Sequence, residues 1–279
     1  MTKQFQSILF LSTGRTGTKF LASILRNTVP NADVFHEAGE RSRLINILSH
    51  SNLAGATPFT FIIKAWESAI EKPLKASQGT RDFYIDANNH IYYLVVNKPE
   101  LYPALKVIHI VRDPRTYIRS HLNWSHSRGK SFLANYLTPF WQPAAYMVGE
   151  MKIKDWLRLS KLERFAWVWN FKNLYINKVE DSAIPYLRIR FEDLFSAEDA
   201  VLTFQRIIEF LGLKDLEPDE AYFQKAINVS KSDHLPEWTQ WSTQMCNKVD
   251  QICRAGMTKF GYGNEPEWID RISQSGETS

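Results

Sequence analysis

Ser7-Ile8-Leu9-Phe10-Leu11-Ser12-Thr13-Gly14-Arg15-Thr16-Gly17-Thr18-Lys19-Phe20-Leu21 is the stretch on which the fold turns. Residues 7–12 form an apolar run of strand length. A glycine turn breaks it. From Thr18 to Val29 the apolar residues Phe20, Leu21, Ile24 and Leu25 then recur on one helical face. Successive N–H groups at such a turn make a concavity for an anion, and the dipole of the following helix adds to it. Arg15 and Lys19 bring positive charge, and Thr18 brings a hydroxyl donor. The pattern is not a Walker A loop, which needs Gly-Lys-Ser/Thr after its first glycine and four further residues. Lys19 follows Thr18 and precedes Phe20, so the hydroxyl that would hold magnesium beside a triphosphate is missing. This counts against ATP hydrolysis or ordinary kinase chemistry. The bland alternative is a plain strand-to-helix turn with surface charge.

Outward from this stretch, strands and helices alternate. Residues 59–64 (FTFIIK), 82–86 (DFYID), 106–111 (KVIHIV) and 185–191 (PYLRIRF) are strand candidates, rich in β-branched and aromatic residues. Helical patterns cover about 89–97, 115–123, 160–180 and 197–211, the last stopping at Gly212. The tail beyond 213 reads as helical and aromatic. Residues 124–160 mix Trp, Pro, Gly and Tyr irregularly and read as a loop-rich lid. The alternation predicts an α/β fold with a central parallel sheet covered on both faces, in one domain over 1–279. Ligands in such sheets bind beyond the carboxyl ends of the strands.

Composition narrows the function. A chain of 279 residues with 44% hydrophobic and 13% aromatic residues buries a full core, which excludes a disordered protein. With 34 basic and 30 acidic residues the net charge is +4, without like-charge runs, which suits a small anionic ligand better than a nucleic acid. Cys246 and Cys253, at i and i+7, are too far apart on a helix for a disulfide and too few for a metal site. Two buried, reduced thiols fit a reducing compartment. An apolar leader and a membrane-length apolar stretch are both lacking, so the expectation is a cytoplasmic protein with no membrane span.

Arg112-Asp113-Pro114-Arg115 follows the strand ending at Val111, and Ser120 lies at i+8 from Arg112. Asp113 can cap the next helix and Pro114 can open it. Arg112 and Ser120 can reach one phosphate together, a task to which the guanidinium fork is suited; an incidental arginine beside a helix cap is the alternative. Together the two elements resemble the sulfotransferases that use 3′-phosphoadenosine 5′-phosphosulfate (PAPS). The family's 5′-phosphosulfate loop reads here as Arg15-Thr16-Gly17-Thr18, and its 3′-phosphate element as Arg112 with Ser120. RFEDL at 190–194 and FGYG at 260–263 extend the resemblance along nearly the whole chain.

The resemblance implies a three-layer, P-loop NTPase-like domain that moves a sulfuryl group onto a hydroxyl or amine and releases 3′,5′-ADP. It implies Arg15 at the bridging oxygen, Thr16, Gly17, Thr18 and Lys19 at the 5′-phosphate, and Arg112 and Ser120 at the 3′-phosphate. Because a sulfuryl group carries less charge than a phosphoryl group, no metal is implied. Glu37, in FHEAG, is the expected acceptor base, its pKa raised by a partly dry cleft. A solvated surface glutamate is the alternative, and His36 is the fallback base. The Lys-x-His segment of the cytosolic branch is matched here by Lys64-Ala65-Trp66, without the histidine. Asp86, Asn88 and Asn89 line the acceptor pocket in this reading, and the acceptor is a small molecule, glycan or peptide. Trp124, Trp141, Trp167 and Trp169 are core residues before they are stacking platforms. A nucleotide-dependent kinase and a non-catalytic nucleotide-binding protein are the competing readings.

Overall fold

The structure is a computed structural model of the chain. It describes residues 4–39, 42–137, 140–196, 198–213, 216 and 234–273, and of 127–137 the backbone alone. Two compact units divide the chain: Met1–Val111 with Tyr175–Asn228, and Arg112–Leu174 with Val229–Ser279.

The first unit holds the sheet. Strands β1 (Gln6–Ser12), β2 (Ala32–His36), β3 (Phe83–Ala87), β4 (Leu105–Val111) and β5 (Tyr186–Arg190) pair in the order β2-β3-β1-β4-β5, every pairing parallel. Alternate side chains go to opposite faces. Ile8 and Phe10 of β1, with Ile85, Ile108, Ile110 and Ile189, pack against Phe20, Leu21, Ile24 and Leu25 of α1 (Thr18–Thr28) and Phe204, Ile207 and Leu211 of α10 (Ala200–Leu211). Leu9 and Leu11, with Tyr84 and Val107, pack against α2 (Ser42–Leu53), α3 (Phe59–Trp66), α4 (Lys72–Thr80) and α5 (Tyr92–Asn97). Burial on both faces explains why β1 and β4 carry apolar residues at consecutive positions. The α/β, three-layer expectation with a central parallel sheet is met.

Two elements differ from the sequence reading. FTFIIK is not a strand but helix α3. Pro58 starts it in an extended conformation, and Ile62, Ala65 and Trp66 are buried at i, i+3 and i+4 while Phe61 is half exposed. Helical spacing of the apolar groups overrides the β propensity of Phe, Thr and Ile. Lys64-Ala65-Trp66 therefore sits inside a helix and follows no strand. The edge strand in this part of the sheet is β2, whose only buried residue is Val34. An edge strand needs no continuous apolar run, so its sequence gives a weak signal.

The second unit is helical in its described residues: α6 (Pro114–Leu137), α7 (Ile153–Arg158), most of α8 (Lys161–Asn177), α11 (Thr243–Phe260) and α12 (Pro266–Ser273). The short helix α9 (Phe191–Phe195), directly after β5, belongs to the first unit. The stretch 124–160, expected to be loop-rich, is largely helical: α6 continues to Leu137, a 3-10 turn covers Ala145–Val148, and α7 follows. Met147 and Trp156 anchor it in the core. Trp167 and Trp169 are buried as core residues, and Cys246 and Cys253 are buried free thiols on one face of α11. Arg115 is only 2% exposed, gripped by both oxygens of Asp113 and of Glu265. Its guanidinium lies 4.4 Å from the Trp238 ring centre and 5.0 Å from that of Trp268. Two carboxylates and two aromatic faces together satisfy a cation that burial would otherwise destabilise.

Candidate active site

The loop after β1 turns on residues with positive φ: Gly14 at 89°, Arg15 at 57° and Gly17 at 69°. Arg15 is not a glycine, so this conformation costs energy that the surroundings must offset. Ser12, fully buried, organises the turn: its Oγ accepts from the Gly14 N–H at 3.1 Å and from the Thr16 hydroxyl at 2.8 Å. Thr16 is also fully buried, and its hydroxyl proton is committed to Ser12. Gly17 caps α1 without any side-chain hydrogen bond, which leaves the helix N-terminus to an anion. A methyl group at Gly17 would come within 2.6 Å of the Phe195 ring. Phe195 and Phe191 meet with tilted rings at 4.7 Å, and Phe195 meets Phe20 at 5.1 Å. Phe191 of the RFEDL segment and Phe195 just after it thus buttress the loop.

Beside α1, β2 ends in His36, and Glu37 follows it. Glu37 also adopts positive φ, 56°, and Gly39 follows at 76°. A side chain at Gly39 would strike the Ala69 carbonyl at 2.4 Å, in the π-helical turn Glu67–Glu71 that joins α3 to α4. Glu37 Oε1 accepts from Asn89 Nδ2 at 2.9 Å and lies 3.3 Å from His90 Nε2. Burial pushes the carboxyl up, but the hydrogen bond and charge of His90, with the charges of His36 and Arg43, outweigh it and hold the pKa at about 2. The raised value expected from a dry cleft is therefore corrected: the carboxylate has partners that favour its ionised form. Asp86, one strand over, is fully buried and has the raised value. Burial is the main cause and the Glu37 charge adds to it, against hydrogen bonds from Asn88 and Ala38, leaving a pKa of about 6. Its Oδ1 accepts from the Ala38 N–H at 3.1 Å and its Oδ2 from Asn88 Nδ2 at 3.0 Å, so Asp86 and Asn88 brace the Glu37 turn. Asn89 touches Glu37 directly. His90 escaped the sequence reading, because nothing in YIDANNH marks which of its residues curls back to residue 37.

His36 is placed differently from a free base. Its Nε2 lies 3.1 Å from Thr18 Oγ1 at the start of α1. Burial lowers its pKa, assisted by Lys19 and His90 and opposed by Glu37.

Arg112 and Ser120 belong to the second unit. Asp113 caps α6 through the Arg115 N–H at 2.7 Å and Pro114 opens the helix, as the sequence indicates. The Arg112 carbonyl accepts from Trp169 Nε1 at 2.7 Å and its Nε donates to Thr116 Oγ1 at 3.0 Å, which fixes the residue ahead of the helix. Ser120 lies about two turns along α6 and is half-buried.

Residues 6–232 match the model of the sulfotransferase domain family. The chain belongs to that family. Carbohydrate sulfotransferase 2 of mouse and that of human are each 26% identical to this sulfotransferase over 208 residues, which covers 61% of the chain and 38% of either relative. The chain thus spans well under half the length of those relatives. Solved structures similar to it include a sulfotransferase domain from the curacin biosynthetic pathway, with a TM-score of 0.46, 16% identity and 98% of both chains covered. Another is mouse sulfotransferase SULT7A1 complexed with PAP, with a TM-score of 0.49, 13% identity and coverage of 98% of this chain and 92% of that one. Among the described residues no helix is long and apolar enough to cross a membrane, and no group of three or more His, Cys, Asp or Glu is placed to hold a metal ion.

Proposed function

We propose that this sulfotransferase moves the sulfuryl group of PAPS onto a hydroxyl or amine of a small molecule, glycan or peptide, releasing 3′,5′-ADP. The observation that carries the reading is the Arg15–Lys19 loop, with a strained Arg15 and an uncapped α1 N-terminus, in a chain of this family. The amides of Thr16, Gly17, Thr18 and Lys19, the Thr18 hydroxyl and the Lys19 ammonium hold the 5′-phosphate. Arg15 stabilises charge on the bridging oxygen as the sulfur–oxygen bond breaks. Arg112 and Ser120 hold the 3′-phosphate. The charge is met by these groups, and the reading invokes no metal.

Glu37 takes the acceptor proton. With a pKa of about 2 it is ionised throughout the neutral range, ready to accept but weakly basic. The proton it removes must first be made acidic by bond formation to sulfur, so proton transfer is late and runs with nucleophilic attack. Asn89 and His90 hold the carboxylate in place for this. The named mouse and human relatives put carbohydrate hydroxyls first among acceptors to screen. In this reading residues 1–279 are one sulfotransferase domain. The buried thiols Cys246 and Cys253 support a reducing, cytoplasmic setting.

The test is calorimetric binding of 3′,5′-ADP beside ADP and ATP, with and without magnesium, followed by transfer from labelled PAPS to a panel of carbohydrate and phenolic acceptors. Metal-independent preference for 3′,5′-ADP and labelled product are expected. Preference for ATP with magnesium overturns the reading in favour of a kinase.

A further inference from the structure

The contact between His36 and Thr18 joins two parts of the site that sequence treats as separate: the donor loop and the strand end that carries Glu37. Thr18 is the first residue of α1 and is 6% exposed, so its hydroxyl has few choices of partner. One is His36 Nε2 at 3.1 Å. A hydroxyl has one proton to give and accepts through its lone pairs. If it spends the proton on an unprotonated Nε2, it turns its lone pairs to the loop and repels an anion there. If Nε2 carries a proton and donates to Oγ1, the hydroxyl proton is free to point into the loop. The ionic neighbourhood of the ring consists of Glu37 beside it, Lys19 on α1 and His90 after β3.

We propose that His36 is a positioning residue of the donor site: it donates from Nε2–H to Thr18 Oγ1 and so turns the Thr18 hydroxyl proton toward the nucleotide's 5′-phosphate. This rests on the donor reading above and goes beyond it. It also commits Nε2 of His36 to Thr18, which leaves only Nδ1 for any other role. Binding of the anion selects the ring form with hydrogen on Nε2, either as the tautomer or as the imidazolium. His36 and Glu37 are consecutive, so the same strand end sets a donor contact and the base.

The test is 3′,5′-ADP affinity in the full chain for wild type, His36→Ala, His36→Gln, Thr18→Val and the double variant His36→Ala/Thr18→Val, with PAPS kinetics alongside. His36→Ala and Thr18→Val are each expected to weaken binding about tenfold, the scale of one hydrogen bond to a charged group. The double variant is expected to be no weaker than the worse single one, because both remove the same donor. His36→Gln, whose amide can donate to Oγ1, restores affinity to within about threefold of wild type. The effect falls on the KM for PAPS and not on kcat at saturating donor. Additive losses, unchanged affinity in His36→Ala, or a fall in kcat with KM unchanged would each overturn the proposal while wild-type binding leaves the donor reading standing. Failure of wild type to bind 3′,5′-ADP would overturn both.

Discussion

Glu37 and Asp86 are two carboxylates bridged by one short stretch of backbone, driven apart by their surroundings. Asn89 and His90 hold Glu37 near 2, whereas full burial and the neighbouring Glu37 charge lift Asp86 to about 6. The signs of their contributions to stability are opposite. Asp86 titrates higher in the folded chain than its ordinary 3.8, so its ionisation costs stability as pH rises between about 4 and 6. Glu37 titrates below its ordinary 4.5, so its contribution is complete above that value and is lost as pH falls toward 2. Asp86→Asn is therefore expected to lose less stability than wild type between pH 4.5 and 7.5. The difference is on the order of 1–3 kcal/mol and is read from urea midpoints at both pH values. An unchanged pH dependence would mean that Asp86 is not the group titrating there. Glu37→Gln is expected to lower turnover at least about a hundredfold while leaving 3′,5′-ADP affinity within about twofold, in steady-state kinetics and calorimetry. Glu37 was legible in the sequence as a candidate. The direction of its pKa was not, because that direction is set by His90, whose approach depends on β2 and β3 pairing in parallel.

At the scale of elements, the donor loop depends on a helix that contributes no ligand. Phe195 of α9 closes on Gly17 so tightly that an added methyl would meet its ring at 2.6 Å, and Gly17 also needs a positive φ. Gly17→Ala is expected to cost about 1–3 kcal/mol from backbone strain alone, with the clash added. Thermal unfolding should show a lower midpoint, and 3′,5′-ADP binding should weaken as the loop is displaced. Adding Phe195→Ala should recover the part due to the clash and leave the part due to φ. A double variant no better than Gly17→Ala would mean that the ring does not set the loop. The reading of elements from sequence succeeded where burial imposes an unambiguous pattern: β1, β3, β4 and β5 were placed within a residue or so, and α10 with its Gly212 stop. It failed at α3, where β-branched and aromatic residues at helical spacing mimic a strand, and at β2, where an edge position removes the apolar run. With 59–64 taken as a strand, the Lys64-Ala65-Trp66 match falls at a strand end in the sequence, whereas the structure puts it in helix α3. His90, which lies 3.3 Å from Glu37, carries no sequence signal of that approach.

Across the whole molecule, the two motifs read from the sequence belong to different compact units. The 5′-phosphate loop is in the first, built on the sheet. Arg112 and Ser120 are in the second, at the start of α6, which Asp113 caps and the buried Arg115 ties to Glu265. Motif spacing made both halves legible, but the unit boundary at Arg112 was not, because the peptide simply continues from β4 into α6. This division gives a test that separates the halves chemically. ADP lacks the 3′-phosphate, so it reports on the first half alone, whereas 3′,5′-ADP reports on both. Arg112→Ala is expected to weaken 3′,5′-ADP by about thirtyfold, the scale of a charge-assisted hydrogen bond, and to leave ADP unchanged. Lys19→Ala, which acts at the shared 5′-phosphate, is expected to weaken both nucleotides by the same factor. Raising the salt concentration should shrink each loss, since the interactions are ionic and partly open to solvent. The Arg112 carbonyl and backbone are held by Trp169 and by the helix cap, so truncating its side chain should leave the thermal midpoint within a few degrees of wild type. If Arg112→Ala instead weakens ADP and 3′,5′-ADP equally, the arginine does not read the 3′-phosphate, and the discrimination that separates PAPS from ATP must lie in other residues.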